Sequence, residues 1–248
     1  MIAKKENYVQ SMHEARKKII DALREIEYSE IKEGYKHGQN IPVSTYQPWA
    51  NHAEYLSLYS KIKGNTLVDN YRCWELYSIA KNLKDKEGDM FEVGVWRGGT
   101  AAIIGQFIGN GTLYLADTFE GVVNAGEKDS MYKGGEHADT SQGMVETLLS
   151  ETGVKNYTIL KGIFPKDTAS MMKSDKIKLA HIDVDVYLSA KESFEYIWDK
   201  IIVGGAVVFD DYGFWGCEGV TELFNNFNYA NGFKIHNLNG HGIIIKTH

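Results

Sequence analysis

The 248-residue sequence predicts an α/β fold, in which a mostly parallel sheet is covered by helices and ends in an antiparallel hairpin. From about residue 89, short apolar runs alternate with helical runs, which is typical of a parallel sheet. The run AVVF at 206–209 is apolar throughout, as expected of a strand that is buried on both faces. Near the end, GFKIHNL and GIIIK are joined by the short turn NGH, which predicts the hairpin.

The N-terminal part of the chain is predicted to be helical and to precede the sheet. Residues 5–33 place apolar side chains on one face, which indicates an amphipathic helix that packs on the body or on another subunit. Residues 34–50 contain Gly and Pro at intervals and predict a loop. Two helices are expected next, at about 51–62 and 66–84.

The remaining elements follow from the alternating pattern. The predicted strands are DMFEV, TLYLAD, NYTILK, IKLAHIDVD and GAVVFDD. The predicted helices lie at about 98–109, 141–151, 166–173, 188–200 and 217–230. The polar insertion GVVNAGEKDSMYKGGEHADTS is too long for a simple turn and indicates a lid or binding loop, with a mobile surface loop as the alternative.

Two pairs of aspartates follow apolar strands. Asp183 and Asp185 end the fourth strand, and Asp210 and Asp211 end the fifth. Ligands bind beyond the carboxyl ends of parallel strands, so both pairs should lie on one rim of the sheet. Carboxylates at the end of a buried strand are costly unless they are compensated, and neither stretch contains a Lys or Arg. A hard divalent cation is the expected compensation. Asp183 and Asp185 are two residues apart and would share one face of a strand.

The loop EVGVWRGGT follows the first predicted strand and leads into a helix. Its glycines allow a sharp turn and a close approach to a ligand, although a turn without a ligand is an alternative. The spacing differs from the G-x-G-x-x-G of dinucleotide sites. Glu92 would repel a pyrophosphate and suits a zwitterionic cofactor that bears an ammonium group. Asp117 ends the second strand, where an acid commonly binds ribose hydroxyls; a turn or capping role is the alternative.

Several ordered segments together resemble the macrocin O-methyltransferase family, from about Thr66 onward. They are TLVDNYRCWELY, FEVGVWRGGT, LADTFEGV, LKGIFPKDT, HIDVDVYLSAKESFEYIW and VGGAVVFDDYGFWGCEGV. The resemblance implies a class I, Rossmann-like methyltransferase that uses S-adenosylmethionine and Mg²⁺ to methylate a sugar hydroxyl. It also implies an S-adenosylmethionine-binding catalytic domain over residues 66–248, preceded by a helical or lid segment over residues 1–65.

The resemblance implies a role for each matching residue. The implied magnesium ligands are Asp183, Asp210 and Asp211, and the implied general base is Asp185. The residues implied to surround the methionine part of the cofactor are Glu92, Gly94, Gly98 and Thr100. Asp117 would bind the ribose, and Gly162 and Ile163 would lie near the adenine. Val184 departs from the family, where Gly is common between the two aspartates, and this changes the space for the acceptor.

Composition limits the partners. The net charge of −6 argues against nucleic acid, and no apolar run approaches the roughly 18–20 residues that cross a bilayer. Without a secretory h-region, a cytoplasmic protein is expected. The resemblance points to a small sugar substrate: a nucleotide-linked sugar, a sugar of a surface or capsular polysaccharide, or a glycosylated metabolite. A homodimer or higher homo-oligomer is expected.

Other interpretations remain open. A catechol-type O-methyltransferase would use a related metal site, and a non-enzymatic scaffold would bind S-adenosylmethionine without turnover. A nicotinamide dehydrogenase is opposed by the loop spacing. The histidines at 137, 181, 236 and 241 lack metal-binding spacing and are interpreted as structural. Aromatic residues with a possible sugar-stacking role, or a simple packing role, are Tyr46, Trp49, Tyr187, Tyr212 and Trp215.

Overall fold

A computed structural model describes residues 2–24, 29–32, 35–37, 47–237 and 239–248 of the chain. The chain divides into two compact units, residues 1–46 and residues 47–248, which are described separately.

The first unit contains a helix and a two-stranded antiparallel ribbon. These are α1 (Ile2–Arg24), β1 (Ser29–Lys32) and β2 (Tyr35–His37). The helix predicted over 5–33 is therefore wrong at its end, because Ser29–Lys32 forms a strand. The predicted loop over 34–50 is wrong at β2, and most of its remainder lies outside the described residues, as does Tyr46.

The second unit holds the sheet and its covering helices. The helices are α2 (Ala53–Ile62), α3 (Asn70–Leu83), α4 (Gly99–Gly105), α5 (Gln142–Glu151), α6 (Tyr187–Trp198) and α7 (Glu218–Asn226). The strands are β3 (Asp89–Val93), β4 (Leu113–Asp117), β5 (Tyr157–Lys161), β6 (Ile177–Ile182), β7 (Ile201–Phe209), β8 (Gly232–Asn237) and β9 (His241–Lys246). Short 3₁₀ turns lie at Pro48–Asn51 and Ala169–Met171. The helix predicted at 166–173 is wrong, since hydrogen-bonded turns and the second of these 3₁₀ segments form there instead.

The seven-stranded sheet has the order β5-β4-β3-β6-β7-β9-β8. The first five of these strands are parallel, whereas β9 runs antiparallel to both β7 and β8. The predicted fold class is therefore confirmed, including the C-terminal hairpin. The chain builds outward from β3 to β5 and then returns to β6 beside β3. This reversal creates the switch point at which α/β sheets bind ligands.

Two apolar layers cover the sheet, and alternation along the strands assigns each residue to one of them. Met90 and Leu179 face the layer of α2 to α5, whereas Phe91 and Ala180 face the layer of α6 and α7. All six residues of β6 are buried, as expected for a strand with both faces covered. Because side chains alternate along a strand, Glu92 of β3 and His181 of β6 point toward the layer that contains α3.

Candidate active site

A cavity of about 270 Å³ opens at the carboxyl ends of the parallel strands. It contains most of the residues that sequence reasoning selected. Those that line it are Gly94, Thr100, Asp117, Gly162, Ile163, Asp183, Asp185, Asp210 and Asp211. Glu92 and Gly98 do not line it. Residues from five strand ends are thus brought together although they are scattered along the sequence.

Three carboxylates form a cluster at this rim. One oxygen each of Asp183, Asp210 and Asp211 lies within 4.8 Å of the others. Asp183 follows β6, and the Asp210 amide donates to the Ile182 carbonyl, so the strand ends fix the spacing. Burial, followed by repulsion from Asp210, raises the pKa of Asp183 and of Asp211 well above the usual range for aspartate.

Sequence reasoning missed the cation that compensates this cluster. Arg72, on α3, is buried and donates from Nη1 to Asp210 and, at 3.3 Å, to Asp211. Its Nε donates to Asp69 Oδ2 at 2.9 Å. Burial alone would raise the pKa of Asp210, but Arg72 and then His241 hold it below its usual value. The only available signal was that Arg72 lies in one of the family-like segments, far from the aspartates in sequence.

Asp185 lies in a bend beyond β6. The strand ends at Ile182 and Asp185 has a φ of +63°, so the argument that Asp183 and Asp185 share a strand face is wrong. The Tyr132 hydroxyl donates to Asp185 Oδ1 at 2.6 Å, and it lies 3.5 Å from His137 Nε2. Burial is the main cause that raises the pKa of Asp185. Tyr132 was not selected from the sequence because its contact depends on how the long insertion folds.

That insertion, residues 121–141, forms one wall of the cavity. Asp129 Oδ1 accepts a hydrogen bond from the Tyr187 amide, at the start of α6, at 2.9 Å. Glu218, in the first turn of α7, accepts from the Ser130 hydroxyl at 2.8 Å. Both carboxylates are buried. These contacts, together with the cavity-lining Tyr132, favour a binding wall over a mobile surface loop.

Asp117 holds the glycine loop in place. Its Oδ2 accepts from the amides of Val95 and Trp96 at 2.7 and 2.8 Å, and its Oδ1 accepts from the Phe119 amide at 2.6 Å. The contact with Phe119 is a local turn contact of the kind offered as the alternative role of Asp117, whereas the contacts with Val95 and Trp96 join two separate strand ends. A carboxylate oxygen with one partner retains a second lone pair, so Oδ1 can still accept a hydrogen bond from the cavity.

Glu92 and Gly98, the two predicted residues that do not line the cavity, contact other parts of the protein instead. Glu92 is fully buried and accepts from His181 Nδ1 at 2.8 Å. Gly98 has a φ of +87° and packs against Val145. Gly94, which does line the cavity, has a φ of +84°, and a Cβ there would collide with the backbone carbonyl of Asp183. Gly94 thus permits the close approach of the ends of β3 and β6.

Two exposed aromatic side chains line the cavity. Trp215, which was selected from the sequence, is 53% exposed and lines the cavity, and so does Phe214, which is 47% exposed and was missed. The Arg72 guanidinium lies over the Phe214 ring, 4.8 Å from its centroid. Of the other aromatic candidates within the described residues, Trp49, Tyr187 and Tyr212 do not line the cavity.

Residues 16–242 match the model of a family described as Macrocin-O-methyltransferase (TylF). The chain belongs to this family. The demethyldecarbamoylnovobiocin O-methyltransferase of Streptomyces niveus is 30% identical over 50% of this chain and 53% of its own length. The mycinamicin III 3''-O-methyltransferase of Micromonospora griseorubida is 27% identical over 54% of this chain and 59% of its own. The family member described here thus spans little more than half the length of these relatives.

Solved structures support the fold of this member of the macrocin O-methyltransferase family. The O-methyltransferase NovP has a TM-score of 0.64 at 23% identity, over 74% of this chain and 83% of its own. The calicheamicin methyltransferase CalS11 has a TM-score of 0.59 at 13% identity, over 84% and 97%. The fold is that of a class I methyltransferase. Among the described residues, no helix combines the length and apolar character that a membrane span needs.

Proposed function

We propose that this chain is an S-adenosylmethionine-dependent O-methyltransferase that methylates a sugar hydroxyl with the help of Mg²⁺. The observation that carries the proposal is the meeting of Asp183, Asp210 and Asp211 at one end of a cavity that the glycine loop also lines. The family and the names of the relatives, which are O-methyltransferases, support transfer of a methyl group to oxygen.

The residues of the cavity fit the proposed cofactor. Gly94 and Thr100 would lie near the methionine part, Gly162 and Ile163 near the adenine, and the free lone pair of Asp117 Oδ1 can accept from a ribose hydroxyl. Glu92 and Gly98 would act indirectly, by supporting the loop from outside the cavity. When bound, S-adenosylmethionine would supply a methyl group on a positively charged sulfur.

The carboxylate cluster fits a hard divalent cation. Asp183 has no side-chain hydrogen bond among the described residues, so its oxygens are free to bind an ion. Asp211 contacts Arg72 at 3.3 Å, and Asp210 faces both Arg72 and His241. Asp183 and Asp211 would therefore contribute the freer oxygens. When bound, Mg²⁺ would lower the pKa of a coordinated sugar hydroxyl.

Side chains of the protein would accept the proton and position the acceptor. Asp185 would accept the proton of the acceptor hydroxyl, and the hydrogen bond from Tyr132 would fix its orientation. The insertion wall would keep water away and hold the acceptor in line with the methyl group. Alignment of this kind can contribute up to about 7–11 kcal/mol to a two-reactant step.

The proposed acceptor is a nucleotide-linked sugar, a sugar of a surface or capsular polysaccharide, or a glycosylated metabolite. Phe214 and Trp215 offer exposed rings at the mouth for packing against an apolar sugar face. We further propose that residues 66–248 form the catalytic domain, and that the enzyme is a cytoplasmic homo-oligomer.

The test is a screen of sugar nucleotides, glycosides and catechols with S-adenosylmethionine, with and without Mg²⁺, read by the mass of the product. We expect a methylated sugar compound that forms only with the metal. Methylation of catechols alone would favour the catechol-type enzyme. Cofactor binding by calorimetry without any methylated product would favour a scaffold and count against the proposed activity.

A further inference from the structure

A layer of buried ionisable side chains lies beneath the carboxylate cluster. His181 on β6 and His241 on β9 are both fully buried, and their rings are 6.1 Å apart. Each is held by a carboxylate: His181 Nδ1 donates to Glu92 at 2.8 Å, and His241 Nδ1 donates to Glu75 at 2.6 Å. Both Nδ1 atoms are therefore occupied, and the two Nε2 atoms remain for other partners.

Both histidines lie close to Asp210. One ring nitrogen of each histidine and one oxygen of Asp210 lie within 4.8 Å of one another. His241 Nε2 is 2.8 Å from Asp210 Oδ1. His181 Nε2 is fully enclosed and has no hydrogen-bond partner among the described residues. A buried polar atom without a partner is costly, so this arrangement requires an explanation.

A second proton on His241 explains only part of the arrangement. Burial would lower the pKa of His241, but its bonds to Asp210 and Glu75 raise it to about 9, and the protonated ring can donate to both carboxylates. That proton satisfies Asp210 Oδ1 and leaves His181 Nε2 without a partner. A metal ion between the three atoms would satisfy all of them.

We propose that His181 Nε2, His241 Nε2 and Asp210 Oδ1 form a second, buried site for a zinc-class divalent cation. Zinc-bound histidines commonly donate their other ring N–H to a carboxylate, and both histidines here do so. Two imidazoles and one carboxylate suit Zn²⁺ or Co²⁺, whereas Mg²⁺ prefers the oxygen-only cluster above. Asp210 lines the cavity and would give the ion a route inward.

This site goes beyond the proposed methyl transfer and does not depend on it. The cation would bind Oδ1 of Asp210, which leaves Oδ2 to accept from Arg72. The ion would act as a brace that joins β6, β7 and β9 behind the cavity. The histidines were interpreted as structural from their sequence spacing, and strand pairing is what brings them together.

The test uses the full-length, untagged protein. It is produced with added zinc, dialysed against metal-free buffer and assayed for bound metal. We expect roughly one zinc per chain that an excess of Mg²⁺ does not displace. X-ray absorption of this wild-type sample should show two imidazole ligands with zinc–nitrogen distances of about 2.0–2.1 Å.

Variants locate the ion. His181→Gln and His241→Gln should each remove most of the bound zinc, whereas His236→Gln, a histidine outside the cluster, should retain it. Zinc below a tenth of the protein concentration would overturn the proposal. An oxygen-only shell would overturn it as well. A zinc–sulfur bond would do the same, because it would locate the ion at the neighbouring group of Asp185, Asp211 and Cys217. The wild-type spectrum decides even if the histidine variants fail to fold.

Discussion

Arg72→Met tests whether one buried arginine compensates the negative charge of the carboxylate cluster. Arg72 donates to Asp210 and Asp211, both nearly inaccessible to solvent, and to Asp69, whose side chain is 46% exposed. Removing one partner of a buried ion pair leaves an uncompensated charge and costs about 3–5 kcal/mol. The exposed bond to Asp69 adds little. We therefore expect the free energy of unfolding to fall by about 3–5 kcal/mol, almost all of it from Asp210 and Asp211.

The measurement is urea unfolding followed by circular dichroism, with Arg97→Met as the matched control. Arg97 pairs with Asp139, which is 63% exposed, so the control should lose less than about 1 kcal/mol. A loss for Arg72→Met no larger than that of the control would refute the reasoning.

Added Mg²⁺ provides a second readout on the same two proteins. A ligand that binds only the folded state stabilises it in proportion to the logarithm of its concentration over the dissociation constant. The cluster without Arg72 has more unbalanced charge, so Mg²⁺ should stabilise Arg72→Met more than the wild type. Equal stabilisation of the two would show that the ion and Arg72 act on different carboxylates.

Three further predictions concern single side chains. Asp210→Ala should abolish methyl transfer to the acceptor found in the screen while largely sparing the affinity for S-adenosylmethionine, as measured by calorimetry; full activity in chelator-treated buffer would contradict its proposed role. Tyr132→Phe should lower kcat roughly ten- to hundredfold, because a hydrogen bond to a charged group contributes about 1.5–3 kcal/mol, and should leave cofactor affinity unchanged; an unaltered kcat would remove Tyr132 from the proposed mechanism. Lys178→Met should destabilise the fold by about 2 kcal/mol or more, since the buried Nζ donates to the carbonyls of Lys84, Lys86 and Ile108, whereas the exposed Lys176→Met should change little in the same urea assay.

The sequence predicted the strands and the rim because both depend on local patterns. Apolar runs mark β3, β6 and β7, and the aspartates that follow them must lie at the carboxyl edge in any parallel arrangement. The helix at 166–173 was wrong because that stretch forms hydrogen-bonded turns followed by a three-residue 3₁₀ segment at Ala169–Met171. The end of α1 was wrong because β1 replaces the expected last turns.

The partners of the rim could not be predicted in this way. Arg72 reaches Asp210 from α3, and Glu75 reaches His241 from the same helix, so both contacts depend on how that helix packs across the sheet. Tyr132 reaches Asp185 from a segment without regular secondary structure. Nothing in the spacing of these residues encodes their proximity.

The glycine loop provides a physical reason to expect a cofactor other than a dinucleotide. Glu92 was expected to repel a pyrophosphate, but it does not line the cavity and its carboxylate is held by His181. A phosphate-binding loop must instead present free backbone amides. Here the amides of Val95 and Trp96 both donate to Asp117 Oδ2. These two amides are therefore not free to bind a phosphate, and a negatively charged carboxylate lies where a phosphate would need donors. Asp117, rather than Glu92, is therefore the residue that disfavours a pyrophosphate, and its remaining lone pair suits a hydroxyl.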